Sequence, residues 1–195
     1  MKIIGLTGSI GMGKSVLAGQ FRFLGVPVHD ADATVHDLMK PDGAAFNDIH
    51  EFFPDVIVDG AIDRKKLGQI VFNDDQKREL LEDILHPLVK ESSNHFITQC
   101  RRRREKLCVL DIPLLFETGR DKDMDYIVAC TAPQWVQRRR VLSRKNMTQE
   151  KFKSIVKTQM PDYRKRLLSD QIVTSTRGKR HTLNAVRRIK QKYAD

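Results

Sequence analysis

Long apolar runs are missing from this chain: no stretch approaches the roughly 20 residues that a membrane-spanning helix needs, so a helical membrane protein is excluded. Cysteine is scarce, with three in 195 residues. Cys100, Cys108 and Cys130 have no metal-ligand spacing, and two of them fall in apolar, strand-like runs. That pattern predicts buried thiols in a reducing compartment. The N-terminus enters a strand directly, without the apolar core of a secretion signal, so a cytoplasmic location is expected. Internal repeats and low-complexity segments are absent as well.

What is present is ordinary for a soluble globular protein, 40% apolar and 31% charged residues. A chain of this length buries one substantial α/β core, with room for a lid or a small helical insertion but hardly for a second independent domain. The formal charge of +10 suits nucleic acid as a partner. It equally suits ligands that carry several phosphates, and charge alone does not choose between them.

The stretch Gly8-Ser9-Ile10-Gly11-Met12-Gly13-Lys14-Ser15 narrows the choice. Two glycines four residues apart, followed by lysine and a hydroxyl, form the phosphate-loop pattern, and its context is right. The apolar run Ile3-Ile4-Gly5-Leu6 before it reads as a buried strand, and Leu17, Phe21 and Leu24 after it recur at helical spacing. Glycines let successive N–H groups turn toward a polyphosphate, and the positive end of the following helix adds to the field. Lys14 would reach the β- and γ-phosphates, and the Ser15 hydroxyl would ligate Mg²⁺.

The rest of the chain supplies four more strands, near 25–29, 107–112, 126–130 and 170–173. The fold expected is a three-layer α/β/α phosphate-loop fold with a five-stranded parallel sheet. Asp30 and Asp32 follow the second strand, at the sheet edge where open α/β folds bind ligands. Asp32 is the first candidate for the acid that takes or orients the acceptor proton, and Asp30 the second. The bland alternative is that either one caps the next helix.

From Pro41 to Cys100 the pattern is helical, apart from a turn-rich link over 54–62 and a break or kink at Pro87. Arg64 and His86 are the polar residues there best placed to meet an anionic or ribose-bearing substrate. Asp111, at a strand end, reads equally as an acid acting through water on Mg²⁺ or as a structural acceptor. The run Arg101–Arg104 reads as a solvated helix end, with no interleaved aromatics for single-stranded nucleic acid. Two helices near 134–160, loaded with Arg138, Arg139, Arg140 and Arg144, resemble the lid of a nucleotide kinase.

These residues together resemble one family, the dephospho-CoA kinases. The resemblance is carried by Gly5 through Ser15, Asp30-Ala31-Asp32, Ile62-Asp63-Arg64, Leu85-His86-Pro87, Pro113-Leu114-Leu115-Phe116-Glu117, the spacing Pro133, Gln137, Arg140, Arg144, and Gln159, Pro161, Asp170. It implies ATP-dependent phosphorylation of the ribose 3′-hydroxyl of dephospho-CoA, with Mg²⁺ held through Ser15. It assigns catalysis to Asp32, Lys14 and Arg140, and nucleotide binding to Gly11, Met12, Gly13, Lys14, Ser15, Val16, Arg140 and Arg144. The acceptor is expected at Asp32, Arg64, His86, Pro113, Leu114 and Leu115.

The expected layout is a core of 1–35, 105–133 and 166–195, a helical acceptor-binding insertion over 36–104, and a lid over 134–165. No nucleic acid or membrane partner is expected, and the chain is read as a monomer or weak homo-oligomer. Ser9 and Met12 stand at spacer positions where the family usually has glycine and serine. Ser169 and Ser175 stand where it has alanine and asparagine, at the edge expected to meet adenine.

Overall fold

The computed structural model describes residues 1–194. In chain order they form β1 (Lys2–Thr7), α1 (Lys14–Phe23), β2 (Val28–Asp30), α2 (Ala31–Leu38), α3 (Phe46–Phe52), β3 (Ile57–Val58), β4 (Ala61–Ile62), α4 (Arg64–Asn73) and α5 (Asp75–Arg102). Then come β5 (Leu107–Asp111), β6 (Tyr126–Thr131), α6 (Gln134–Leu142), α7 (Gln149–Thr158), α8 (Asp162–Leu167), β7 (Gln171–Thr174) and α9 (Lys179–Ala194). Two compact units result: a helical unit from Asp30 to Thr98, and a sheet unit made of the chain on either side of it.

The sheet unit is built on five parallel strands in the order β2-β5-β1-β6-β7. Strand β1 pairs with β5, Leu6 opposite Asp111, and with β6, Thr7 opposite Ala129; Thr131 of β6 lies opposite Thr174 of β7. The central strands read as unbroken apolar runs because helices cover both faces of such a sheet. Leu17 and Phe21 of α1 and Val186 and Ile189 of α9 pack against Ile4, Leu6, Val109 and Val128. Each such side chain, fully buried, contributes roughly 1.5–3 kcal/mol. With β1 central, the carboxyl ends of β1, β5, β6 and β7 share one edge, where open parallel sheets bind their ligands.

The helical unit has a small core of its own, Ala45, Ile49, Phe53, Val56, Ile62, Leu67 and Leu85. Several details differ from the sequence reading. The stretch 54–62 is a 3₁₀ turn followed by the β3–β4 hairpin, whose tip is Asp59 and Gly60 at φ 49° and 74°. Both lie in the left-handed region that a two-residue type I′ turn requires, but strands of two residues are too short to show a period. Pro87 lies inside α5 without ending it, at an exposed position, and has no N–H to offer the carbonyl one turn back. The unit also begins at 30 rather than 36, because α2 follows β2 with no linker. It ends at 98 because the last turn of α5 belongs to the sheet unit, where Cys100, like Cys108 of β5, is a buried free thiol.

Candidate active site

Thr7 ends β1, and the chain turns through Gly8 to Gly13 into α1. Gly13 is the residue before the helix, at φ 99°, and Gly11 sits at φ 76°. An L-residue there costs about 1–2 kcal/mol. Gly13 is closed in from outside as well, since a Cβ on it would lie 2.8 Å from Ser175 Cβ. Among the described residues no side chain caps α1. The N–H groups of Lys14 and Ser15 therefore open the helix with no intrahelical acceptor, which is the local structure that binds anions.

Lys14 Nζ lies 2.5 Å from Asp111 Oδ1, with the two side chains 12% and 3% exposed. A pair this shielded gives up hydration on both partners, so it is held by geometry as much as by charge. Its effect is to fix the ammonium at the end of β5. Ser15 and Val16 are exposed on the first turn of α1.

Arg140 comes to the loop from α6. Its Nη1 donates to Ser175 Oγ at 2.7 Å and to the carbonyls of Gly11 and Met12 at 3.3 and 3.4 Å. Ser175 Oγ in turn donates to Met12 O at 2.6 Å, and the Cys130 thiol does so at 3.1 Å. Burial pushes the Cys130 thiol up to about 12, so it stays protonated as a donor. Met12 itself is a core residue: its sulfur accepts the Ala132 N–H, its own N–H goes to Ser9 O, and the side chain is buried. Arg144 lies beyond the end of α6 and is exposed.

Two glutamines grip the middle of the loop. Gln137 Nε2 donates to Ile10 O at 2.9 Å, and Gln159 Oε1 accepts the Ile10 N–H at 3.0 Å. Gln137 lies within α6, and Gln159 directly follows α7. Neither had a role in the sequence reading beyond spacing, because a polar side chain bonded to backbone leaves no periodic signal. Thr148 caps α7 by accepting the Lys151 N–H, so the single hydroxyl suffices without a full capping box.

The run from Pro113 to Glu117 follows β5. Pro113 O accepts from Thr7 Oγ1 at 3.1 Å and from Lys165 Nζ at 2.8 Å. Leu114 is half-buried, whereas Leu115 is 0% exposed and packs over Gly5, so its side chain serves the core. Ser175, at the edge where the resemblance implies adenine contacts, accepts from Arg140 and donates to Met12 O. Ser169 Oγ donates to Lys165 O, one turn back in its own helix.

The remaining candidates belong to the helical unit. Asp30 is the cap of α2, its carboxylate accepting the Ala33 N–H at 3.1 Å, so the bland alternative holds for it. Asp32 sits exposed in the first turn of α2, and His36 lies exposed one turn on. Arg64 opens α4 directly after Asp63, whose carboxylate caps that helix through the Lys65 and Lys66 N–H groups. His86 is exposed on α5 beside Pro87.

A parallel sheet whose first strand feeds a glycine loop, with lysine at the helix start and an arginine arriving from a later helix, defines a phosphate-loop phosphotransferase. Solved structures agree on the fold. A Campylobacter jejuni dephospho-CoA kinase superposes with TM-score 0.65 at 21% identity, over 98% of this chain and 96% of that one. An Acinetobacter baumannii shikimate kinase does so with 0.55 at 14% identity, over 98% and 92%. The sequence comparisons go further, and this chain belongs to the dephospho-CoA kinase family. The model of that family matches residues 2–179. A Paramagnetospirillum magneticum dephospho-CoA kinase is 50% identical over 85% of this chain and 78% of its own length. One from Mesorhizobium japonicum is 47% identical over 91% and 89%.

Proposed function

We infer that this chain transfers the γ-phosphoryl of ATP to the ribose 3′-hydroxyl of dephospho-CoA, giving coenzyme A and ADP, the last step of coenzyme A synthesis, in the cytoplasm. The family match over 2–179 carries this reading, because the residues alone define a phosphotransferase without naming its acceptor.

The roles follow from chemistry. Charge spreads over the transferring phosphoryl, so catalysis is mostly positioning and electrostatic stabilisation. Lys14 exchanges Asp111 for the β- and γ-phosphate oxygens when the nucleotide binds. The free N–H groups at the start of α1 cradle the same phosphates. Arg140 holds the loop carbonyls turned away from the anion and adds its charge, with Arg144 completing the basic lid formed by α6 and α7. Ser15 Oγ and Asp111 are oxygen donors that suit a hard cation. They would hold Mg²⁺, which when bound neutralises charge on the β- and γ-oxygens. Asp32 orients the 3′-hydroxyl and receives its proton, while Arg64, His86 and the Pro113–Leu114 run bind the acceptor.

The test is an ADP-release assay with ATP across dephospho-CoA, nucleoside monophosphates, shikimate and pantetheine. Turnover is expected with dephospho-CoA far above the others, and equal or higher turnover with another acceptor overturns the reading. Replacing Asp32→Asn is expected to lower kcat by roughly 100-fold or more, the scale of a lost general base, with ATP affinity unchanged.

A further inference from the structure

Glu117 is exposed along the chain, yet its carboxylate is engaged on two sides. Oε1 accepts the Met160 N–H at 2.7 Å and the Lys165 ammonium at 2.8 Å. The Lys165 side chain is 1% exposed and that of Glu117 17%. Lys165 also donates to Pro113 O, which the Thr7 hydroxyl of β1 holds from the other side. Met160 follows Gln159, whose amide oxygen holds the Ile10 N–H in the middle of the phosphate loop. Two residues after Met160, Asp162 accepts from Thr131 at the end of β6.

One carboxylate therefore joins three pieces of backbone: the phosphate loop through Met160 and Gln159, the Pro113 run through Lys165, and the return of the chain from α7. Burying a lysine in this way is costly, and burial holds the Lys165 ammonium below its ordinary range despite the Glu117 charge beside it. Helix α8 also carries Arg164 and Arg166, both exposed, so solubility does not require a charge at 165. The geometry accounts for the expense differently. An ammonium reaches both a carbonyl and a carboxylate at once, and an apolar side chain would reach neither.

We propose that Glu117 is a positioning residue for the phosphoryl transfer, setting the register between the nucleotide-binding loop and the acceptor-binding Pro113 run through Met160 on one side and Lys165 on the other. The proposal rests on the kinase reading given above. Reacting atoms misplaced by about 1 Å cost on the order of 100-fold in rate, so a link that fixes two loops relative to one another shows in kcat. A charge pair that only stabilised the fold would move the melting temperature and leave turnover of the folded enzyme intact.

The experiment compares wild type, Glu117→Leu, Glu117→Gln, Lys165→Met and the double variant Glu117→Gln with Lys165→Met. Each is measured for kcat, for KM of ATP and dephospho-CoA, and for melting temperature, at a temperature where all are folded. Glu117→Leu is expected to lose about tenfold or more in kcat, which corresponds to about 1.4 kcal/mol. Glu117→Gln keeps an oxygen for the Met160 N–H and is expected to recover to within about threefold of wild type. Lys165→Met is expected to raise KM for dephospho-CoA more than KM for ATP, because Lys165 bonds Pro113 O of the acceptor run directly and reaches the phosphate loop through Glu117 and Met160. If either single variant does not fold, the double variant, which buries no unpaired charge, carries the test and is expected to show the same rise in KM for dephospho-CoA. Wild-type kcat and KM in Glu117→Leu, or in the double variant, overturn the proposal. Absence of dephospho-CoA kinase activity in the wild type overturns the kinase reading instead.

Discussion

Replacing Gly13→Ala separates the two reasons for a glycine at the head of α1. The first is conformational: at φ 99° an alanine costs about 1–2 kcal/mol. The second is steric, since the new Cβ would sit 2.8 Å from Ser175 Cβ and 2.9 Å from Ser175 Oγ, and Ser175 is pinned by Arg140 and Met12. Overpacking of this kind costs roughly 1–3 kcal/mol. The sum, roughly 2–5 kcal/mol, lowers the melting temperature by about 5–20 °C in a chain of this size. Ser175→Gly removes the steric part and leaves the conformational part. In that background Gly13→Ala is expected to cost only roughly 1–2 kcal/mol, a coupling of about 1–3 kcal/mol between the two sites. Calorimetric melting of the four proteins measures it. An equal cost of Gly13→Ala in both backgrounds would refute the claim that Ser175 closes the loop from outside.

Lys14→Ala removes the cation and leaves Asp111 buried without it, so both stability and ATP binding fall. Adding Asp111→Asn restores stability, read by melting, without restoring turnover; recovered turnover would contradict the role of Lys14. Leu115→Ala is expected to destabilise by about 2–5 kcal/mol in urea unfolding, because the side chain is wholly in the core. Stability also falls in acid. Burial raises the Asp125 carboxyl, but the Ile3 N–H and Lys2 outweigh it and the net shift is downward; the N–H groups of Lys66 and Lys65 lower Asp63. Stability from a lowered carboxylate is present above its unfolded value, 3.8 here, and is lost as pH falls through the folded value. The urea midpoint is expected to drop below about pH 4, with a shallower drop in Asp125→Ala; an unchanged slope would count against it.

The sheet and the phosphate loop were legible because their signals are local. A run such as Ile3–Leu6 leading into a glycine turn has few other readings, and Lys14 and Ser15 are placed by the motif. The capping of α2 by Asp30 was legible only as an alternative, since a carboxylate at a strand end serves a cap and a site equally well. What the sequence hid were contacts between distant backbones and single side chains. Lys165 stands between two solvated arginines and looks like a third, although it is the one that turns inward to Pro113 O and Glu117. Gln137, Gln159 and Ser175 act through the carbonyls and amides of the loop, and no spacing rule in one chain encodes such bonds. Leu115 was read with its neighbours as acceptor-binding; which of three adjacent apolar residues faces the core depends on Gly5 across the sheet.

The measurement that tests the account most directly is the position of the transferred phosphate. The chain is incubated with ATP labelled in the γ-phosphoryl and with dephospho-CoA, and the product is examined by mass spectrometry and phosphorus NMR. The account predicts a label on the ribose 3′-oxygen, in coenzyme A, formed by wild type and nearly lost in Asp32→Asn. Label on any other hydroxyl, or hydrolysis of ATP without transfer, would contradict it.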